Sequence, residues 1–425
     1  MRLNLRHLQL FRETARLRSV SAAARSAHVS QPAVTQAITS LEKFFGVPLL
    51  VRRSTGVSLT QAGEACLHRV ERSFAQLRDA LAEATRASGE RAGGDRAIDV
   101  GRLVRSTQLE ALGAVVEHGS FSDAARARHM SQPSIHRAAR DLERHLGVPL
   151  FEKTSFGVTP TREAEKLARR ARLALHEIDQ ARAEVLAMSG AESGRTVFGA
   201  LPLARSYLLP RALLAFTQEY PQHQVAIVEG TYEHLLSGLH SCETDVLIGA
   251  LRAQAPSPEV VQEHLFDDPL ALIVRAQHPL ARRRKIGVAS LRKYQWIAPR
   301  TGSPLRVHFD ALIALPGMQL PSPPLECSSL AAARAFLLES DRVMLLSEHQ
   351  MHYELQAGLL VALPHPSGRV LRPIGLTLRR GWHPTRTQQR LLEILRRTAR
   401  AAAAAHVSRR SSSSGRRQLS RIRNS

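Results

Sequence analysis

The stretch SVSAAARSAHVSQPAVTQAITSLEKFFGVPLLVRRSTGVSLT, residues 19–60, decides how the N-terminal part of this chain folds. Just upstream, Leu5, Leu8 and Phe11 recur at helical spacing, and Val20, Ala23, Ala24 and Ala27 mark a second, short helix whose small residues allow close packing. After His28 and Val29, Ser30 is an N-cap residue and Pro32 falls in the first turn, where its missing N–H costs nothing. A third helix therefore starts at Gln31. Val34, Ile38, Leu41 and Phe45 form its buried stripe, which leaves Gln31, Ala33, Thr35, Gln36 and Thr39 on other faces. Gly46 and Pro48 end it, and short β-prone pieces around Arg52, Arg53, Ser54 and Gly56 read as a wing.

A helix that enters the DNA major groove needs its N-terminal end facing the duplex, small residues for close approach, and Gln, Thr or Arg to reach base edges or phosphates. Ser30, Gln31, Pro32 and Ala33 form that end, Thr35 and Gln36 are candidate base readers, and Arg52 and Arg53 would hold the backbone or the adjacent minor groove. Any helical hairpin has caps and small residues, so a helix-turn-helix pattern alone is moderately specific.

The same pattern returns about a hundred residues later. SFSDAARARHMSQPSIHRAARDLERHLGVPLFEKTSFGVTPT, residues 120–161, aligns with the first stretch without a gap and with nearly half its positions identical, which is the mark of duplication. Copy two keeps Leu109, Leu112, Ala124, Ala125, Ser131, Gln132, Pro133, Leu142, Glu143, Gly147, Pro149 and Gly157, with Ser134 in the place of Ala33. It departs on the reading face: Thr35 and Gln36 become His136 and Arg137, while Arg52 and Arg53 become Lys153 and Thr154. LTQAG becomes PTREA, a less typical start for the next helix. Arg137 can bond a guanine or a phosphate, and His136 adds charge only if protonated. Two readings stay open, a second DNA reader of different preference or a module kept for packing and dimerisation.

AAARSAHVSQPAVTQAITSLEKFFGVPLLVRR followed by LTQAG resembles the N-terminal winged helix-turn-helix of the LysR family of transcription regulators. The resemblance divides the chain into winged helix-turn-helix modules at 3–62 and 104–163, a linker helix and connector at 63–103, a linker helix at 164–190 and an effector-binding domain at 195–400, while the Arg- and Ser-rich, low-complexity composition of 401–425 reads as a disordered basic tail. It makes the Ala-, Leu-, Arg- and Glu-rich stretches at roughly 61–88 and 162–189 dimerisation helices of a homodimer or homotetramer. ASGERAGGDRAIDVG between them has the composition of a flexible connector, and MSGAESGRTV that of a hinge.

From Arg195 the pattern changes to short β-prone segments (TVFGAL, QVAIVEG, TDVLIGAL, LALIVR, YQWIA, RVMLLS, IGLTLRR) alternating with helical ones such as YLLPRALLAFTQEYP and SSLAAARAFLLES, which argues for α/β sheets with crossover helices. GALPLARSYLLPRAL, TDVLIGALR, LFDDPLALIVRAQHPLA and APRTGSPLR are similar to the galactose-binding-protein-regulator subgroup of that family, although ESDRVMLLSEHQ stands where many members have a Gly-rich motif. The fold class implied is multidomain α/β, with two mainly α modules and a two-subdomain effector domain akin to periplasmic binding proteins. A ligand in such a cleft is held by strand-end loops and helix N-termini. That points to Pro202, Arg205 and Ser206, to Thr301, Gly302 and Ser303, and to Ser328 and Ser329 as contacts for a sugar or a carboxylate. Ser and Thr at helix starts are more often plain caps.

Composition agrees with a polyanionic partner: 59 Lys and Arg against 37 Asp and Glu give a net charge of +22. The expected partners are double-stranded promoter DNA, a small-molecule effector and RNA polymerase, with no cofactor, no membrane and a cytoplasmic location. Cys66, Cys242 and Cys327 lie far apart, with no zinc-type spacing. No HExxH, GxSxG, Walker or GxGxxG signature marks an enzyme, and Ser347, Glu348 and His349 are merely adjacent in sequence. An architectural DNA-binding protein without effector is the other reading that fits the charge.

Overall fold

In a computed structural model the chain divides into two units, Met1–Gly194 and Arg195–Ser425. Residues 3–54, 56–87, 100–155, 157–188, 194–283 and 285–422 are described; the side chains of Arg102, Lys153 and residues 405–422 are not. The connector at 88–99, most of the hinge at 189–193 and the wing-tip residue Thr55 lie outside the described residues.

The first unit opens with α1 (Leu5–Leu17), α2 (Val20–Ser26) and α3 (Gln31–Phe45), then the wing strands β1 (Leu50–Arg53) and β2 (Gly56–Leu59) and the long α4 (Gln61–Ala87). After the short α5 (Val100–Leu103) come α6 (Ser106–His118), α7 (Phe121–Ala127), α8 (Gln132–Leu146), β3 (Phe151–Thr154), β4 (Gly157–Pro160) and α9 (Arg162–Met188). Apart from α5, each element of the second set begins and ends 101 residues after its counterpart, as Leu5 and Ser106 do. Local chemistry repeats with it. Ser30 and Ser131 cap α3 and α8, each with Pro in the first turn, and Gly46 and Gly147 close them in the left-handed conformation at φ +78° and +65°. The stripes are buried as their spacing requires: Val34, Ile38, Leu41 and Phe45 in α3, and Ile135, Ala139, Leu142 and Leu146 in α8. The PTREA variant starts its helix just as LTQAG does, because Thr161 and Thr60 make the same bonds. Each hydroxyl accepts from a first-turn N–H, of Ala164 and Gly63, and donates to the carbonyl of Pro149 and Pro48.

The second unit has β5 (Gly194–Ala200), a π-helical turn at Ala204–Leu208, α10 (Leu209–Glu219), β6 (His223–Val228), α11 (Tyr232–His240), β7 (Val246–Ala250) and the long β8 (Val260–Arg275). There follow α12 (Val288–Leu291), β9 (Trp296–Ala298), α13 (Pro304–Ile313), β10 (Leu325–Glu326), α14 (Leu330–Glu339), β11 (Val343–Ser347), α15 (His352–Gln356), β12 (Leu360–Leu363), β13 (Leu371–Arg379) and α16 (Arg386–Ile422). Strand order is β10-β9-β11-β8-β13-β7-β5-β6, with β12 also on β8. β8 serves both halves: Val260–Pro269 pairs antiparallel with β13, and Leu270–Arg275 pairs with β11 and β12. One core, around Phe198, Leu209, Phe216 and Ile374, lies on the β5 side; another, around Leu272, Trp296, Phe309 and Leu345, lies on the β11 side.

α16 continues past residue 401 to Ile422. Its Ala run, residues 401–405, has the highest intrinsic helix propensity, and no proline follows Pro384 to break the helix.

Candidate nucleic-acid interface and effector site

The turn before each reading helix is built on a left-handed histidine, His28 at φ +52° and His129 at φ +50°, followed by the Ser cap. This brings the first residues of α3 and α8 to the surface. Ser30, Gln31, Pro32, Ala33 and Gln36 are exposed and Thr35 is half-buried; in copy two Ser131, Gln132, Pro133, Ser134, His136 and Arg137 are all exposed. Gln31 Oε1 accepts from Ser21 Oγ at 3.1 Å, and Ser131 and Ser134 hydroxyls lie 2.7 Å apart. The His136 ring meets the edge of Phe121 at 5.0 Å, a contact that holds it toward α7. Each wing is anchored by one carboxylate: Glu42 Oε1 accepts the N–H groups of Leu49 and Leu50 at 2.9 and 3.2 Å, and Glu143 Oε1 those of Leu150 and Phe151 at 2.8 and 3.0 Å. Arg52 and Arg53 are exposed on β1; Lys153 occupies the matching place on β3.

α4 and α9 pack along their length, and the seam carries buried charge. Arg69, 4% exposed, donates to Glu177 at 2.9 Å and to Glu184 at 3.0 Å, and Arg72 donates to Glu177 at 2.9 Å. Burial alone would raise the Glu177 carboxyl, but the hydrogen bonds from Arg72 and Arg69 hold it below the usual range. Cys66, buried in the same unit, has its thiol pushed up to about 12 by burial, so it is an inert hydrophobe and not a reactive thiolate.

In the second unit the loops after the parallel neighbours β9 and β10 converge, with the Cys327 N–H donating to the Ala298 carbonyl at 2.9 Å. This brings Thr301, Gly302 and Ser303 to the same sheet end as Ser328 and Ser329. Several of their hydroxyls are engaged: Thr301 Oγ1 donates to Glu326 at 2.9 Å, and Ser329 Oγ caps α14 by accepting from Ala332. Ser303 is the N-cap residue of α13, yet its hydroxyl makes no capping bond and is buried without a partner. Pro202, Arg205 and Ser206 lie at the end of β5 and in the π-helical turn, with Arg205 ion-paired to Glu229 and Ser206 Oγ donating to the Pro202 carbonyl. That turn packs on the 3-10 turn at Glu348–Met351, with the Tyr207 ring stacked 5.8 Å from His349 and tilted 4.0 Å from His352 at the start of α15.

The family model "LysR substrate binding domain" matches residues 189–400, and "Bacterial regulatory helix-turn-helix protein, lysR family" matches twice, at 5–64 and 106–165. The HTH-type transcriptional regulator GalR of Pseudomonas putida is 34% identical over 378 residues, covering 89% of this chain and 93% of that protein. The chain belongs to the LysR family. PcaQ of Agrobacterium fabrum is 29% identical over 71% of this chain and 96% of its own length. A full-length OxyR from Pseudomonas aeruginosa, carrying a cysteine substitution, shares 25% identity at a TM-score of 0.52, over 69% of this chain and 94% of that one. This LysR protein is therefore a DNA-binding transcription regulator with an effector-binding domain, and not an enzyme. No helix among the described residues is long and apolar enough to cross a membrane.

In this LysR chain a buried cluster escaped sequence reasoning. Asp268, fully buried at the point where β8 passes from β13 to β11, accepts from Ser347 Oγ at 2.6 Å, contacts His349 Nδ1 at 3.0 Å and accepts from Arg372 at 3.0 Å. Ser347 bonds Asp268 directly instead of through the imidazole, so the group lacks the nucleophile–base relay of a hydrolase. The sequence signal was an acidic residue next to the apolar run PLALIV; Arg372, its register partner, lies within β13.

Proposed function

We propose that both winged modules read DNA, with different base preference, and that the second unit answers a small molecule bearing a carboxylate or hydroxyl groups. The supporting observation for the first half is that α3 and α8 expose the same helix face on the same scaffold, with Thr35 and Gln36 at one head and His136 and Arg137 at the other. Gln36 and Arg137 are base readers, while Arg52, Arg53 and Lys153 hold the phosphate backbone. For the second half, the uncommitted Ser303 hydroxyl at the N-terminus of α13 supplies a donor where an anionic group is favoured. The protein works in the cytoplasm, on promoter DNA and alongside RNA polymerase.

Selection of duplexes from random fragments by the full chain, repeated with Gln36→Ala, Arg52→Ala and Arg137→Ala, tests this reading. Gln36→Ala and Arg137→Ala relax preference at separate base positions, each by about tenfold. Arg52→Ala weakens all sequences alike and lowers the salt slope by about one. An Arg137→Ala protein with unaltered affinity and footprint would remove copy two from the reading role. A footprint that no sugar or carboxylate ligand shifts would remove the effector half.

A further inference from the structure

The contacts within the first unit are reciprocal. Arg69 of α4 bonds Glu184 of α9 at 3.0 Å, and their counterparts, Arg170 of α9 and Glu83 of α4, bond each other at 3.0 Å. α3 touches α9, where Arg182 lies over the Phe44 ring, and α8 touches α4 in return. The Leu5 N–H donates to the hydroxyl of Ser106, its own counterpart 101 residues on, as a two-fold axis passing nearby would require. Residue i meeting j while j meets i is the signature of an isologous dimer, and here it is realised inside one chain. α4 and α9 run antiparallel across it.

We infer that one chain is a complete, inverted pair of reading heads, and that it fits a single duplex site made of two unlike half-sites, one for α3 and one for α8. The inference rests on the reading that both modules bind DNA. A two-fold between heads calls for half-sites in inverted orientation. The heads differ at Thr35/His136 and Gln36/Arg137, so the two halves differ in sequence. The seam itself favours pairing within the chain. Glu177, held by Arg69 and Arg72, has Gln76 as its counterpart, and Arg72 has Leu173. Two copies of α4 would set Gln76 against the arginines and lose the carboxylate; two copies of α9 would lose Arg72. The dimerisation helices are thus filled by each other, and any association between chains uses other surfaces.

The test is to count chains on DNA. The full chain is bound to a duplex it has selected, to the same duplex with one half-site scrambled, and to one with that half turned into direct orientation, and complexes are weighed by native mass spectrometry with hydroxyl-radical footprints alongside. One chain for each two protected half-sites is expected, even where chains associate further. Scrambling or turning one half should cost at least tenfold in affinity. On the intact duplex, Gln36→Ala should relax base choice in one half only and Arg137→Ala in the other. One chain per half-site, or both halves relaxed alike by Gln36→Ala, overturns the inference while leaving DNA reading intact. A full chain that selects no sequence at all overturns the functional reading and this inference with it.

Discussion

Copy one and copy two share a backbone register residue for residue, yet they differ in what that register carries. At core positions of the helical scaffold the copies use the same or a similar apolar residue: Leu8 and Leu109, Phe11 and Leu112, Leu41 and Leu142, Phe45 and Leu146. The anchoring carboxylates Glu42 and Glu143 and the capping hydroxyls Ser30 and Ser131 also match. On the reading face past the shared Ser-Gln-Pro start, and on the wing, the copies part: Ala33 and Ser134, Thr35 and His136, Gln36 and Arg137, Arg52 and Lys153. Packing and backbone satisfaction set the first group; only the molecule outside sets the second.

The comparison breaks most sharply at the seam. Arg69→Ala removes a buried guanidinium from two carboxylates and should destabilise the first unit by about 3–5 kcal/mol. Arg170→Ala, at the equivalent but half-exposed position, should cost about 1 kcal/mol or less. Denaturant unfolding of the full chain followed by a probe in the first unit separates the two, and equal losses would refute the asymmetry. The lowered Glu177 carboxyl gives the same seam a pH signature. A carboxylate whose folded value lies below its unfolded one stabilises above the ordinary carboxylate range, and that contribution disappears as acidification passes through the lowered value. Melting of the first unit should therefore fall on the acid side, and Glu177→Gln should flatten that fall.

A smaller difference sits where α4 begins. A Cβ built on Gly63 would lie 2.0 Å from the Leu49 carbonyl oxygen, whereas copy two carries Ala164 at the same place. Gly63→Ala should cost about 2 kcal/mol through overpacking, read as a lower melting temperature. An unchanged one would show that the copies are interchangeable there. The smallest effect has the opposite sign. α1 ends on Arg18 in the left-handed region at φ +51°, and α6 ends on Gly119 at φ +72°. Arg18→Gly should stabilise copy one by about 1 kcal/mol by relieving the Cβ clash, read as a higher melting temperature; an unchanged or lower one would show that backbone strain at Arg18 is not the limiting cost.

The helices, caps and wings of the first unit were legible because their signals are local: Ser30 before Pro32, Gly46 after Phe45, and apolar residues at helical spacing. The seam was not. Arg69 and Glu177 lie 108 residues apart, and nothing near either one announces the other. In the second unit the apolar half of β8, LALIVR, was readable, whereas its first half, VVQEHLFDD, is largely polar and gains its strand from pairing with β13. Of the effector residues, those on the loops after β9 and β10 are brought together by the parallel pairing of the two strands. Pro202, Arg205 and Ser206 belong instead to a turn that packs against His349 and His352.

The pairing of α4 with α9 has a consequence in mass-action terms. A reading pair assembled from two molecules comes apart on dilution, because its equilibrium contains a concentration. A pair whose halves are joined by one chain has an equilibrium with no concentration in it, only the effective molarity that the connector provides. Few copies per cell hold their two heads together as fully as many do, so scarcity thins the number of readers without unmaking any of them.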